Sequence, residues 1–287
     1  MNFTKNQKII IAFFAAVFLL LWFGVYIPRS YKNTTEIIYN VKSGMSSKEI
    51  SIDLQRQGII KSNVFFRLYA IVFNKYTKLQ AGKYNLSASM SIANIVGKIA
   101  SGDTIKNTIT VIEGWDAEDI GNYLEVKNIM TGAEFLTAVK NSPENFDFLA
   151  DKPKKLNLEG YLFPDTYEIA SDETPEDFVK DMLLNFDKKL TPDLRAEITK
   201  QKKSIFKIIT MASIIEKEVR TPEDKKIVSG ILWKRIAEGM PLQVDATVNY
   251  ITGKDHPGVF IKDTKIDSPY NTYKYYGLPL GPISNPG

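Results

Sequence analysis

With 287 residues, 44% hydrophobic and 24% charged, the chain has the composition of folded protein and enough length for two domains of ordinary size. A net charge of +4 spread over the whole chain is too weak for a nucleic-acid binder, and the lack of cysteine excludes a thiol nucleophile, a cysteine-held metal and a disulfide framework. The single histidine, His256 in GKDHPG, sits among turn residues with no second histidine to complete a zinc site or proton relay; a solvated loop position is expected, and neither metal nor cofactor.

The first predicted element is apolar. Residues 9–27, IIIAFFAAVFLLLWFGVYI, are uncharged and long enough to cross a bilayer core of roughly 30 Å as a helix, with Trp22 and Tyr26 where interfacial aromatics belong. The run is too long for a typical signal-peptide core and no small-x-small site follows it, so an uncleaved anchor is expected. Lys5 and Lys8 before it nearly balance Arg29 and Lys32 after it. The short N-terminal end is placed in the cytoplasm and the bulk of the chain on the outer side of the membrane.

After a short linker, EIIYNV at 36–41 predicts a strand, and SSKE at 46–49 a capping box that opens a helix with Ile50 and Leu54 on one face. Gly58 ends that helix, Ser62 caps a second one carrying Phe65, Phe66, Tyr69 and Val72, and GKYNL at 82–86 predicts a second strand. This strand–helix–helix–strand order resembles a LysM-type module, a small fold whose members bind N-acetylglucosamine-containing glycans. A faint internal repeat accompanies it: the segments from Asn40, Asn85 and Glu113 share a turn, a helix cap and spaced Ile or Leu, each expected as a strand followed by a capped helix.

From about Asn107 capped helices dominate. Thr131, Thr174 and Thr221 each stand three residues before an acid, the last two with proline at the first helical position. The Thr221 box forces the preceding helix, which carries MASIIEKEV at 211–219, to end near Val219 or Arg220. Glu218 follows Met211, Ile214 and Ile215 at helical spacings, so its carboxylate is expected over an apolar stripe in a last turn whose unpaired carbonyls disfavour negative charge. Both effects raise a carboxyl pKa. Glu216, on another face, is expected to be solvated, and a carboxyl held protonated near neutral pH is what general-acid cleavage of a glycosidic bond requires.

Four motifs then occur in order: LEGYLFPDTYEI from Leu158, MASIIEKE from Met211, LQVDATVNY from Leu242 and SPYNTYKYYGLPLGPISNPG from Ser268. With the anchor and the LysM-like unit they closely resemble the MltG (YceG-like) family of endolytic murein transglycosylases over nearly the whole chain. The resemblance implies a bacterial, membrane-anchored lyase that cuts nascent peptidoglycan between N-acetylmuramic acid and N-acetylglucosamine. The muramoyl C6 hydroxyl attacks in place of water and leaves a 1,6-anhydro end. One glutamate serves as acid and then as base, and the family's catalytic glutamate in EKE is matched to Glu218. Glycan strands and the cytoplasmic membrane are the implied partners, with glycan polymerases or penicillin-binding proteins nearby; nucleic acid is not.

A sugar cleft would draw hydrogen-bonding and aromatic groups from the same motifs. Tyr161, Phe163 and Tyr167 alternate as the aromatic face of a strand would, with Asp165 to accept sugar hydroxyls. Glu159, Glu216, Gln243, Asp245, Thr247, Asn271, Thr272 and Tyr273 complete the candidate binding set, and for each singly a turn, cap or core role competes. Val244 departs from the Ser or Thr usual at its position. Family members also continue past NPG, so the resemblance implies a catalytic domain incomplete at Gly287. Two other readings stay open: a wall-binding protein without catalysis, and a hydrolase pairing Glu218 with Asp245 or Asp165. The expected fold is α+β: a cytoplasmic end at 1–8, the transmembrane helix at 9–27, a linker at 28–35, the LysM-like βααβ subdomain at 36–106 and a mainly helical catalytic domain with short strands at 107–287.

Overall fold

The computed structural model describes residues 4–141, 145–253 and 258–287; His256 lies outside them. The chain divides into two compact units, Met1–Asn107 with Ala170–Asp172, and Thr108–Ile169 with Glu173–Gly287. Helix and strand are mixed, the sheets are small, and one apolar helix stands at the N-terminus.

In the first unit, α1 (Lys5–Tyr26) opens with a capping box between Thr4 and Gln7 and carries no acid in its first turn. Its 22 residues span about 33 Å at 1.5 Å per residue. Among the described residues it is the one helix long and apolar enough to cross a membrane, and almost all of its surface is exposed. Strands β1 (Ile37–Val41) and β2 (Gly82–Leu86) pair antiparallel, with Tyr39 opposite Tyr84 and Val41 opposite Gly82. Alternation sends Tyr39, Val41, Tyr84 and Leu86 inward. The inward face packs on α2 (Ser47–Arg56), α3 (Asn63–Val72) and α4 (Ile92–Ser101), which contribute Ile50, Leu54, Phe66, Ile95 and Ile99. The expected caps are present: Ser46 accepts from the Glu49 N–H, Ser62 from Phe65 and Ser91 from Asn94.

The second unit begins within β3 (Lys106–Thr110), at Thr108, and this strand pairs with β4 (Thr166–Ala170). Between them α5 (Ala117–Val126) and α6 (Gly132–Asn141) form a hairpin in which Gly121 and Gly132 touch backbone to backbone. Helices α7 (Pro175–Lys189), α8 (Pro192–Lys200), α9 (Ile205–Glu218), α10 (Pro222–Ala237) and α11 (Asp245–Thr252) follow. Thr174 and Thr221 cap α7 and α10 as their sequence pattern requires. Helix α9 is apolar on more than one side because it serves two cores. Ile209 joins the cluster built on α5, α6 and α7, whereas Met211, Ile214 and Ile215 join Leu232, Leu242, Val244 and Ile283.

One strand expectation fails. Residues 161–165 are irregular and β4 begins only at Thr166, because Gly160 turns the chain at φ +89° and Pro164 interrupts extended pairing. A side chain at Gly160 would meet Pro282 at 2.5 Å and Ile209 at 2.9 Å. That close approach explains a glycine there.

Candidate active site

The second unit contains an open cleft of about 1300 Å³. One wall is the turn from Ile112 to Asp119 that leads into α5. Facing it are the last turn of α9 and the first turn of α11, with Glu159 and Ile283 at the base. The lining carries more carboxyls than cations, Glu113, Asp116, Glu118 and Asp245 among them. Such a surface repels polyanions. Among the described residues no cluster of three or more His, Asp or Glu is arranged to hold a metal ion.

Helix α9 stops because Val219 turns extended, at φ −145° and ψ 153°, and Thr221 with Pro222 starts α10. Glu218 is thereby the last helical residue. Its carboxylate accepts the N–H of Ala246, the second residue of α11. Val244 fills the N-cap position of α11 and makes no side-chain cap bond. The glutamate from another helix therefore supplies an acceptor that Val244 cannot, and this gives the departure at Val244 a physical consequence. Two helix ends of opposite sign act on one group: the α9 C-terminus opposes ionisation and the α11 N-terminus favours it. The balance lies toward the proton. Glu218 is held above the ordinary glutamate value, chiefly by loss of hydration in the concave wall, against the Ala246 bond and with repulsion from Asp245 added.

The expected contrast between the two glutamates is reversed in exposure. Glu218 is open to the cleft, whereas the Glu216 side chain is only 9% exposed. Glu216 is held by Lys225 Nζ at 2.7 and 2.9 Å and accepts the Gly287 N–H at 3.2 Å. The reason is what faces each position. Glu216 turns toward Gly114 and α10, where a cation waits, while Glu218 sits at the helix end where the cleft begins. The apolar residues beneath it, Met211, Ile214 and Ile215, are buried as the spacing requires.

Asp245, at the first position of α11, accepts a hydrogen bond from the Tyr273 hydroxyl. The Tyr273 phenol is pushed up to about 12, first by burial, then by the bond to Asp245 and the charges of Asp245 and Glu218. Gln243, in a left-handed conformation at φ 53°, receives Arg235 Nη2 at 2.9 Å. Glu218, Asp245, Tyr273, Arg235 and Gln243 thus form one electrostatic group.

The remaining candidates serve the framework. Thr247 and Thr272 are buried and share a 2.9 Å hydroxyl bond, and Thr272 also accepts the Val244 N–H. Asn271 is fully buried and spans a turn by donating to the carbonyls of Thr264 and Ile266. Tyr161 is a core residue, 0% exposed and packed on Phe148 and Phe186. Phe163 lies under Lys189, and Tyr167 donates to the Phe163 carbonyl. Asp165 binds Asn185 and Lys189, away from the cleft lining, and the Asn185 bond first of all holds its carboxyl below the usual range. An aromatic cleft face at 161–167 is therefore replaced by a core contact, since the turn at Gly160 points these rings inward. Glu159 is buried at the base of the cleft, where it accepts from the Ala117 N–H at 3.0 Å and from Asn285 at 2.8 Å. Burial pushes its carboxyl up to about 8.

Asn285 lies in the fourth motif and is not among the candidate residues that the sequence offered. Its Oδ1 accepts from Gly160 and Leu162, its Nδ2 donates to Trp115 and Glu159, and its backbone bonds Gly114 and Trp115. Ser284 and the Ile283 N–H bond the backbone and hydroxyl of Ser213 on α9. The fourth motif thereby ties the cleft wall, the first motif and the second motif together. An Asn before Pro-Gly signals a turn, but nothing in the sequence names its four partners.

The geometry can be set beside known proteins. The model of the YceG-like family matches residues 39–287. A Bacillus subtilis protein named endolytic murein transglycosylase is 34% identical over 273 residues, covering 91% of this chain and 75% of its own. A protein of the same name from Streptococcus pneumoniae is 31% identical over 288 residues, with 91% of this chain and 52% of its own length covered. The chain thus spans about half the length of the pneumococcal relative. A crystal structure of a YceG-like protein from Listeria monocytogenes has 34% identity and a TM-score of 0.57, covering 88% of this chain and 87% of that one.

Proposed function

The chain belongs to the YceG-like family, and on that premise we propose that it is an endolytic murein transglycosylase that cleaves the bond between N-acetylmuramic acid and N-acetylglucosamine. The observation that carries the reading is the carboxyl of Glu218, open to a cleft, biased toward its protonated form and poised between two helix ends. Protonated, it donates to the glycosidic oxygen as the bond breaks. Ionised, it is stabilised by the Ala246 N–H and takes the proton of the muramoyl C6 hydroxyl as that oxygen closes on C1. The product carries a 1,6-anhydro end, and no water is consumed. Asp245, held by Tyr273, adds negative charge beside the developing oxocarbenium ion.

In this reading α1 anchors the protein in the cytoplasmic membrane with its N-terminus inside and the rest on the outer face. The β1–α2–α3–β2 segment is a LysM-like glycan-binding subdomain, and residues 107–287 form the catalytic domain. Peptidoglycan strands are the substrate, and a glycan polymerase that makes them is the expected neighbour.

Asp245 also supports a second reading, because a second carboxyl near the acid is what a hydrolase would use. Mass spectrometry of products from uncrosslinked glycan strands separates the outcomes. Anhydro ends support the proposal, reducing ends mark hydrolysis, and intact strands mark a binding protein. Glu218→Gln keeps the shape but not the proton, so cleavage should fall by roughly 10²-fold or more.

A further inference from the structure

The outer face of α3 has no use in the cleft. This helix buries Phe66 and Ala70 in the core of the first unit, yet Val64, Leu68, Ile71 and Val72 remain 63, 39, 56 and 66% exposed. Their spacing of four, three and one residues puts them on one stripe. Phe73 and Tyr76, just past the helix end, are exposed at 53 and 48%. An apolar face of this kind marks a surface with a partner.

Three observations identify the partner. The stripe is continuous with α1: the rings of Trp22 and Tyr26 lie 4.4 Å apart, Tyr26 meets Tyr69 edge-on at 6.3 Å, and Tyr69 lies 4.5 Å from Phe73. An aromatic ladder thus leads from the membrane-length helix onto α3, as interfacial aromatics do. The joint is also fastened. Gly24 approaches the Phe65 ring so closely that a Cβ would meet it at 2.6 Å, Arg29 donates to the Ile60 carbonyl, and the Ser30 N–H bonds Ala88. Finally, residues 54–102 contain seven Lys and Arg and no Asp or Glu; Arg56 and Lys98 pair with Asp53 and Asp103 at the segment's two ends, which leaves five cations between them. Of these, Lys61 and Lys78 flank α3 and are exposed. Apolar stripe, aromatic ladder and one-signed charge together fit an anionic lipid surface.

We propose that α3 is an interfacial helix that lays its Val64, Leu68, Ile71 and Val72 stripe into the anionic surface of the bilayer at the C-terminal end of α1. The first unit then rests on the membrane at two contacts instead of hanging from a tether. This rests on the reading of α1 as a membrane span, and the test separates the two.

The chain has no cysteine, so single labels can be placed without background. Full-length Phe18→Cys, Ile71→Cys and Lys48→Cys, each carrying an environment-sensitive fluorophore, are reconstituted in vesicles of phosphatidylcholine with or without phosphatidylglycerol. Lipids bearing shallow or deep nitroxides quench them. Expected is deep quenching at position 18, shallow quenching at 71 that strengthens with phosphatidylglycerol and weakens with salt, and none at 48. Lys61→Glu and Lys78→Glu should each lower the docked-to-undocked ratio at least about fivefold, since each lost charge near an anionic surface corresponds to about 1 kcal/mol. Quenching at 18 with a water-exposed label at 71 overturns the α3 proposal and leaves the anchor standing. No quenching at 18 overturns both. Burial of the label at 71 that follows protein-to-lipid ratio instead of phosphatidylglycerol content assigns the stripe to a second copy and overturns the lipid proposal.

Discussion

Glu159→Gln should flatten the pH dependence of stability. In the folded protein the Glu159 carboxyl is 4% exposed and titrates at about 8, against 4.5 for the free group. Between these values the folded state keeps a proton that the unfolded state releases. The contribution of Glu159 to stability is therefore greatest below pH 4.5, declines as pH rises and levels off above about 8. At 1.36 kcal/mol per pH interval of one, the decline is on the order of 3–5 kcal/mol, a large part of an ordinary folding free energy. Glutamine does not titrate, but it offers one acceptor where two are used, by Ala117 and Asn285, so it should cost about 1–3 kcal/mol at pH 5. The two lines then cross: wild type is the more stable at pH 5, and the variant equals or exceeds it at pH 8.5. Urea unfolding of the full chain in detergent, followed by tryptophan fluorescence at several pH values, measures this, since Trp115 is bonded to Asn285 beside the site. Parallel curves for the two proteins would refute the account of Glu159.

Asn285→Ala removes four side-chain hydrogen bonds and strands the buried N–H groups of Gly160 and Leu162, so a loss of roughly 3–5 kcal/mol is expected in the same assay. A loss under about 1 kcal/mol would mean that the clamp is redundant. Lys225→Met leaves the nearly buried Glu216 carboxylate unpaired and should cost on the order of 3 kcal/mol, most of it recovered by adding Glu216→Gln; without recovery in the double variant, the pair is not the cause. Asp245→Asn removes a charge that raises the Glu218 pKa, so the alkaline limb of kcat/KM should move to lower pH. An unmoved limb would show that Asp245 does not act on the acid.

Local chemistry wrote much of the fold into the sequence. Thr174, Thr221, Ser46 and Ser62 cap helices because their side chains satisfy donors three residues away, a demand that involves only neighbours. Strands β1 and β2, the end of α9 close to Val219 and the membrane-length α1 were legible for the same reason: alternation, caps and apolar length are properties of short stretches, whereas the pairing of β1 with β2 joins segments with 40 residues between them. The upward bias of Glu218 was also legible in direction, though its cause was only half visible. The sequence shows the end of α9, but the partner that tempers the effect is the start of α11, 28 residues on at Ala246. The exposures of Glu216 and Glu218 were decided by what tertiary structure brought to each, Lys225 to one and open cleft to the other. Likewise Tyr161 entered the core, and Asn285 bonded residues more than 100 positions away, because a buried polar atom takes whichever donor or acceptor packing delivers, and packing is a property of the whole chain.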